Sequence, residues 1–185
     1  RATEPEAWLR RYLASDERVW SERFSREHDP SGLTVESNVL RYVPVPDAVV
    51  RVGSGASAIE VRRVVAAAER CGVPVTLSVD PGWGELPAEV RPTDGAGHGA
   101  RTVREVRVED ADRFVDAVAR GAVRGRVRAL GETPGLRSAA APWAGRTTVL
   151  DRPVVASGER ELLGFLREQA VSTTLHRHGH VPAVR

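Results

Sequence analysis

The chain has 185 residues, enough for one domain with a core of its own. All 27 basic residues are arginine, set against 25 acids for a net charge of +2. Without lysine there is no P-loop, Schiff-base or pyridoxal-phosphate lysine, and the single cysteine, Cys71, excludes an internal disulfide or a multi-cysteine metal site.

Residues 4–27 carry a helical pattern, with Trp8, Leu9 and Tyr12 on one stripe and Val19, Trp20 and Phe24 continuing it. A loop at 27–33 is punctuated by Pro30 and Gly32. Strands are expected at 39–43, stopped by Pro44 and Pro46, and at 48–52. The segment Gly53-Ser-Gly-Ala-Ser57 leads into a helix over 58–71, whose Ile59, Val61, Val64, Val65 and Ala68 follow helical spacing, with Gly72 as its C-terminal cap. An apolar strand at 73–79 completes a β-α-β unit. A long loop rich in Pro, Gly and acids spans 80–100. Beyond it the pattern predicts a strand at 103–108, a helix at 109–120 and a strand at 127–130. A short helix at 134–143 follows, beginning with Pro134, then strands at 147–150 and 153–156. A helix at 159–169 and a last strand at 170–175 close the chain. The alternation argues for an α/β fold: a Rossmann-like, mostly parallel sheet flanked by helices, with an N-terminal helical segment and a C-terminal strand.

Four patterns bear on chemistry. Gly53-Ser-Gly55-Ala-Ser-Ala58, between a strand and a helix, matches the variant dinucleotide fingerprint with alanine third. A tight turn there would let the backbone approach a pyrophosphate at the helix N-terminus, and Asp80 at the end of the next strand would bond a ribose hydroxyl. The bland reading is an ordinary turn capped by Ser57, and the distance from Gly53 to Asp80 is longer than usual. Cys71 as a nucleophile is disfavoured by its place at a helix C-terminus, where the dipole opposes a thiolate. His176, His178 and His180 alternate, so a strand would turn three imidazoles to one face and make them weak zinc candidates; solvated or packed side chains are the competing reading. Glu109, Asp110 and Asp112 crowd a helix start, where acids suit the dipole without any catalytic role. His28 and His98 stand alone in loops.

The arginine content reads as GC-rich coding, which favours Arg, Ala, Gly, Val and Pro together, and not as nucleic-acid binding, because acids are interspersed. No nucleic acid and no transmembrane segment are expected. A lone cysteine fits a cytoplasmic setting. The start Arg1-Ala-Thr-Glu-Pro, in a chain without methionine, leads us to expect a piece of a longer protein.

Three stretches carry a resemblance: Phe24-Ser-Arg-Glu-His-Asp-Pro-Ser-Gly-Leu33, Glu36-Ser-Asn-Val-Leu-Arg-Tyr-Val-Pro44 and Leu166-Arg-Glu-Gln-Ala-Val-Ser-Thr-Thr-Leu-His-Arg-His-Gly179. Together they resemble the C-terminal region of actinobacterial bifunctional enzymes of the proline utilization A type. These join a flavin proline dehydrogenase to an NAD-dependent L-glutamate γ-semialdehyde (pyrroline-5-carboxylate) dehydrogenase of the aldehyde dehydrogenase superfamily. The chain departs from that superfamily where its chemistry resides. It has no Gly-Gln-x-Cys nucleophile motif, no matching glutamate base and no lysine for the NAD site, so no catalytic residue carries over. The resemblance implies a non-catalytic, aldehyde-dehydrogenase-like domain over 36–180, preceded by a helical or linker segment at 1–35 and ending in a tail at 181–185. It implies no cofactor in this piece, NAD and FAD in the parent, upstream dehydrogenase domains as partners, and a homo-oligomer. The expected role is packing, an active-site lid or oligomerisation, with 36–42 and 169–175 as interface elements. The alternative is a dinucleotide or small-ligand module using Gly53, Gly55 and Asp80.

Overall fold

A computed structural model describes residues 4–93 and 99–175. Its centre is a five-stranded parallel sheet made of β2 (Ala48–Val52), β3 (Val75–Val79), β4 (Val103–Val108), β5 (Gly125–Leu130) and β6 (Thr147–Leu150), in the order β4-β3-β2-β5-β6. The expected parallel α/β architecture is therefore present. β2 and β3 are near-continuous apolar runs, as strands covered on both faces must be.

Strand alternation sends Val50, Val52, Leu77 and Val79 to one face, where they pack with Val61, Val64 and Ala68 of α2 (Ala58–Cys71) and Leu162 of α5 (Gly158–Leu162). The opposite face sets Val127 and Ala129 against Phe114 and Val118 of α3 (Ala111–Ala119) and Leu136 of α4 (Leu136–Ala140). α1 (Glu4–Val19) lies on the first side and contacts α2 and α5. α2 begins with a full capping box, in which Ser57 Oγ accepts from Glu60 N–H and the Glu60 carboxylate accepts from Ser57 N–H at 2.8 Å. It ends at Gly72, whose φ of 69° takes the left-handed cap that a β-carbon disfavours.

Apart from this sandwich stands a two-stranded antiparallel ribbon, β1 (Glu36–Pro44) with β7 (Leu166–Thr174), running in register from Glu36 opposite Thr174 to Pro44 opposite Leu166. Here the elements depart from expectation. The helix expected over 159–169 stops at Leu162 and continues as a 3-10 turn to Phe165. The spacing of Leu162, Leu163 and Leu166 reads as one helical stripe; Leu162 and Leu166 are buried and Leu163 is half-buried. From Leu166 onward, however, pairing with β1 takes the backbone. Residues 153–156 form no strand: Val155 O accepts from Arg63 Nε at 3.3 Å, and Val155 N–H donates to the Glu161 carboxylate at 3.4 Å. The first helix ends at Val19 and passes into a π-helical turn at Trp20–Phe24. The loop after β3 carries short 3-10 turns at Pro81–Trp83 and Ala88–Val90.

Candidate functional site

In a doubly wound sheet, ligands bind outside the carboxyl ends of the strands where the winding reverses, here between β2 and β5. Two loops meet at that point. Gly53 and Gly55 follow β2, and Gly131 to Thr133 follow β5. The loops are pinned by an antiparallel bridge between Ser54 and Glu132, with Glu132 N–H donating to Ser54 O at 2.8 Å. A β-carbon on Gly53 would overlap the Glu132 carbonyl oxygen, and one on Gly131 would overlap Ser54 O. Gly53 is thus required by the approach of a second loop. Gly55, at φ 77°, faces open space. The α2 N-terminus, where a pyrophosphate would sit, already holds the Glu60 carboxylate. Trp83 Nε1 donates to Ala56 O at 2.7 Å and packs the next loop onto the same turn.

Asp80 follows β3, but its carboxylate is engaged. One oxygen accepts from Gly82 N–H at 3.0 Å and the other from Arg51 Nη2 at 3.2 Å. Arg51 is fully buried in β2 and also donates to Ser78 Oγ at 3.0 Å and Glu109 O at 2.7 Å, with its guanidinium 5.3 Å from the Phe114 ring centroid. Glu109 accepts from Ser78 Oγ at 2.8 Å, and Asp110 caps α3 through Arg113 N–H at 2.8 Å. Glu109 and Asp110, two of the acids crowding that helix start, therefore have structural partners. Sequence reading missed Arg51; the signal was an arginine inside an apolar strand, with Asp80 at the end of the adjoining strand.

A cavity of about 270 Å³ adjoins the reversal point, between Gly131, Thr133, Leu136 and the Arg137–Asp151 ion pair. The Asp151 carboxyl is held below its ordinary pKa by hydrogen bonds from Arg137, whose charge adds to the effect. Both charges of this cavity are spent on each other.

Cys71 is buried against Leu162 O, and burial pushes its thiol up to about 12. A thiol with that pKa is not a nucleophile at neutral pH. Iodoacetamide at pH 8 is expected to leave Cys71 unlabelled in the folded chain and to label it in urea; prompt labelling of the native chain would contradict this burial. His28 Nε2 lies 2.8 Å from Arg23 O. His98, His176, His178 and His180 lie outside the described residues. Among the described residues no group of three His, Cys, Asp or Glu is placed to hold a metal, and no helix is long and apolar enough to cross a membrane.

The ribbon is the other candidate feature. The outer side of β1 is covered: Leu40 exchanges backbone hydrogen bonds with His28 at 2.7 and 2.9 Å, and Asn38 N–H donates to Asp29 Oδ2 at 3.0 Å. Opposite residues of an antiparallel pair turn their backbone groups the same way, both inward or both outward. Ala170 and Ser172, opposite Leu40 and Asn38, therefore turn theirs outward from β7, where no described strand pairs with them. Every residue of β7 after Leu166 is exposed.

Asp29 fixes the turn that covers β1. Its carboxyl is pulled down to about 2 by hydrogen bonds from the Ser31 hydroxyl and the Gly32 and Asn38 amides. A depressed acid contributes stability above its unfolded pKa and loses it as pH falls through the folded value. The turn is expected to hold from neutral pH down to about 4 and to release toward pH 2. An NMR titration of the Asp29 carboxyl carbon should give a midpoint near 2; one near 4 would show that these bonds are absent in solution.

The parallel sheet, its helices on both faces and its reversal point define a Rossmann-like α/β domain, with a strand ribbon appended. No protein-family model matches the chain, and no curated protein does. Among solved structures it is similar to proline utilization A (PutA) from Corynebacterium freiburgense, at 32% identity and a TM-score of 0.60, over 97% of this chain and 14% of that one. Histidinol dehydrogenase from Elizabethkingia anophelis matches at a TM-score of 0.50 and 11% identity, over 84% of this chain and 36% of that one, a likeness of fold alone. The chain thus spans about one-seventh of the PutA structure it matches.

Proposed function

We propose that this chain is the non-catalytic, aldehyde-dehydrogenase-like domain of a proline-catabolic enzyme whose NAD-dependent module oxidises L-glutamate γ-semialdehyde. In this reading it packs on the upstream dehydrogenase domains, as a lid or an assembly element, in a cytoplasmic homo-oligomer that carries NAD and FAD elsewhere. In this reading the aldehyde-dehydrogenase-like part is residues 36–180, and the preceding segment 1–35 packs onto it through α1. The similarity to PutA along nearly the whole chain supports the family.

The observation that carries the role is the ribbon. Two strands alone are marginal in water, and an open strand edge is a template for another strand. β7 offers such an edge through Glu168, Ala170, Ser172 and Thr174. An extended segment of the dehydrogenase module would add to it by backbone hydrogen bonding.

Binding of this chain to the remainder of the enzyme, supplied as a separate polypeptide, tests the role. Proline at Ala170 removes an outward N–H and crowds an incoming strand, yet spares the β1–β7 ladder. Ala170→Pro should weaken the association about tenfold and lower semialdehyde oxidation in the reconstituted enzyme. Association and rate unchanged by Ala170→Pro would contradict docking through β7.

A further inference from the structure

The opposite end of the sheet holds a cavity of different character. It has a volume of about 380 Å³ and lies among the segments entering β2, β5 and β6 and the start of β7. Its walls include Arg124, Arg126, Arg146 and Arg167, set against the single carboxylate of Asp47. The fully buried arginines are each met by an acid: Arg51 by Asp80, Arg63 by Asp16 and Arg128 by Glu161. None of the four cavity arginines forms an ion pair with a described carboxylate.

Arg124 and Arg126 donate to neutral carbonyls. Arg124 Nε donates to Gly121 O at 3.1 Å, and Arg126 Nη1 donates to Gly164 O at 3.2 Å. Arg126 is partly buried, and desolvation, followed by the nearby Arg152 charge, holds its pKa below the ordinary guanidinium value. Gathering like charges around one cavity is unfavourable unless something of opposite charge enters it. Gly145, at φ 83°, leaves open space where a β-carbon would stand.

We propose that this basin binds a small, multiply charged oxyanion, either a phosphate ester or a polycarboxylate. Guanidinium forks bond paired oxygens two at a time, which suits both classes. The volume falls in the range of small-ligand sites. A basin at the amino ends of the strands is separate from the reversal point and is argued from its own arginines, so the proposal does not rest on the family reading.

Calorimetric titration of the chain with inorganic pyrophosphate, and separately with citrate, tests it. At least one should bind saturably with one-to-one stoichiometry and weaken as salt is raised. Preference for pyrophosphate assigns phosphate esters; preference for citrate assigns polycarboxylates. Arg146→Gln and Arg167→Gln change exposed side chains and should leave the melting temperature in place while each weakens binding about tenfold. Arg104→Gln, on β4, should leave binding unchanged. Should one of the two variants melt early, Arg124→Gln, also exposed, takes its place. Absence of saturable binding to either anion, or affinity indifferent to these substitutions, overturns the proposal. So does a glutamate-rich peptide that binds more tightly than both anions, since the basin would then be a protein-docking surface.

Discussion

Asp16→Ala is expected to destabilise the fold by about 3–5 kcal/mol, the usual cost of breaking a buried ion pair from one side. Asp16 of α1 accepts both guanidinium nitrogens of Arg63 on α2, at 2.7 and 2.8 Å, with side chains 3% and 0% exposed. The same guanidinium lies 4.5 Å from the Tyr12 ring centroid, and a β-carbon on Gly158 of α5 would stand 2.7 Å from Asp16 Oδ1. Removing the carboxylate leaves a buried cation facing an aromatic ring and a void. Replacing both partners by apolar residues of similar volume, Asp16→Leu with Arg63→Met, should recover most of the loss, because the desolvation cost goes with the charges. Urea unfolding of the two single variants and the double variant measures this directly. A loss below about 1 kcal/mol for Asp16→Ala would mean that α1 is not docked in solution.

Gly53→Ala is the second large effect. Its β-carbon would overlap Glu132 O and stand 2.9 Å from Thr133 Oγ1, so either the β2 or the β5 loop must move. Overpacking of this kind costs about 1–3 kcal/mol where the surroundings yield. Here the obstacle is backbone, held by the Ser54–Glu132 bridge, so a loss at or above the top of that range is expected. Gly55→Ala faces no neighbour and bears only the cost of a left-handed residue, about 1–2 kcal/mol. Thermal melts of both variants should rank them in that order. The reverse ranking would mean that the two loops do not meet as described.

Much of the fold was legible because its signals are local. The spacing of Ile59, Val61, Val64, Val65 and Ala68, between Ser57 and Gly72, identifies α2 to the residue. The apolar runs of β2 and β3 identify buried parallel strands. What local pattern misses is pairing at a distance. The β1–β7 ribbon joins residues about 130 positions apart and overrides the helical stripe at Leu162, Leu163 and Leu166. Buried arginines were missed for a similar reason: an arginine in an apolar strand is explained only once its acid arrives from elsewhere, as Glu161 does for Arg128 at 3.2 Å. The four arginines of the basin stand near strand starts, at 124, 126, 146 and 167, and nothing local brings them together.

The dinucleotide fingerprint shows how a motif and its surroundings can part. Gly53-Ser-Gly55-Ala-Ser-Ala58 does join a strand to a helix, as the motif requires. Yet its first glycine admits the β5 loop, its helix N-terminus holds Glu60, and Asp80 is bonded to Arg51. Gly53, the α2 N-terminus and Asp80 thus have partners within the domain, while Gly55 faces open space.

Titration of this chain with NAD is the most direct test of a non-catalytic packing domain. The account predicts no saturable binding at the turn after β2, with Gly55→Val indistinguishable from the parent in the calorimeter. Tight, saturable NAD binding that Gly55→Val abolishes would contradict it and establish the turn after β2 as a cofactor site.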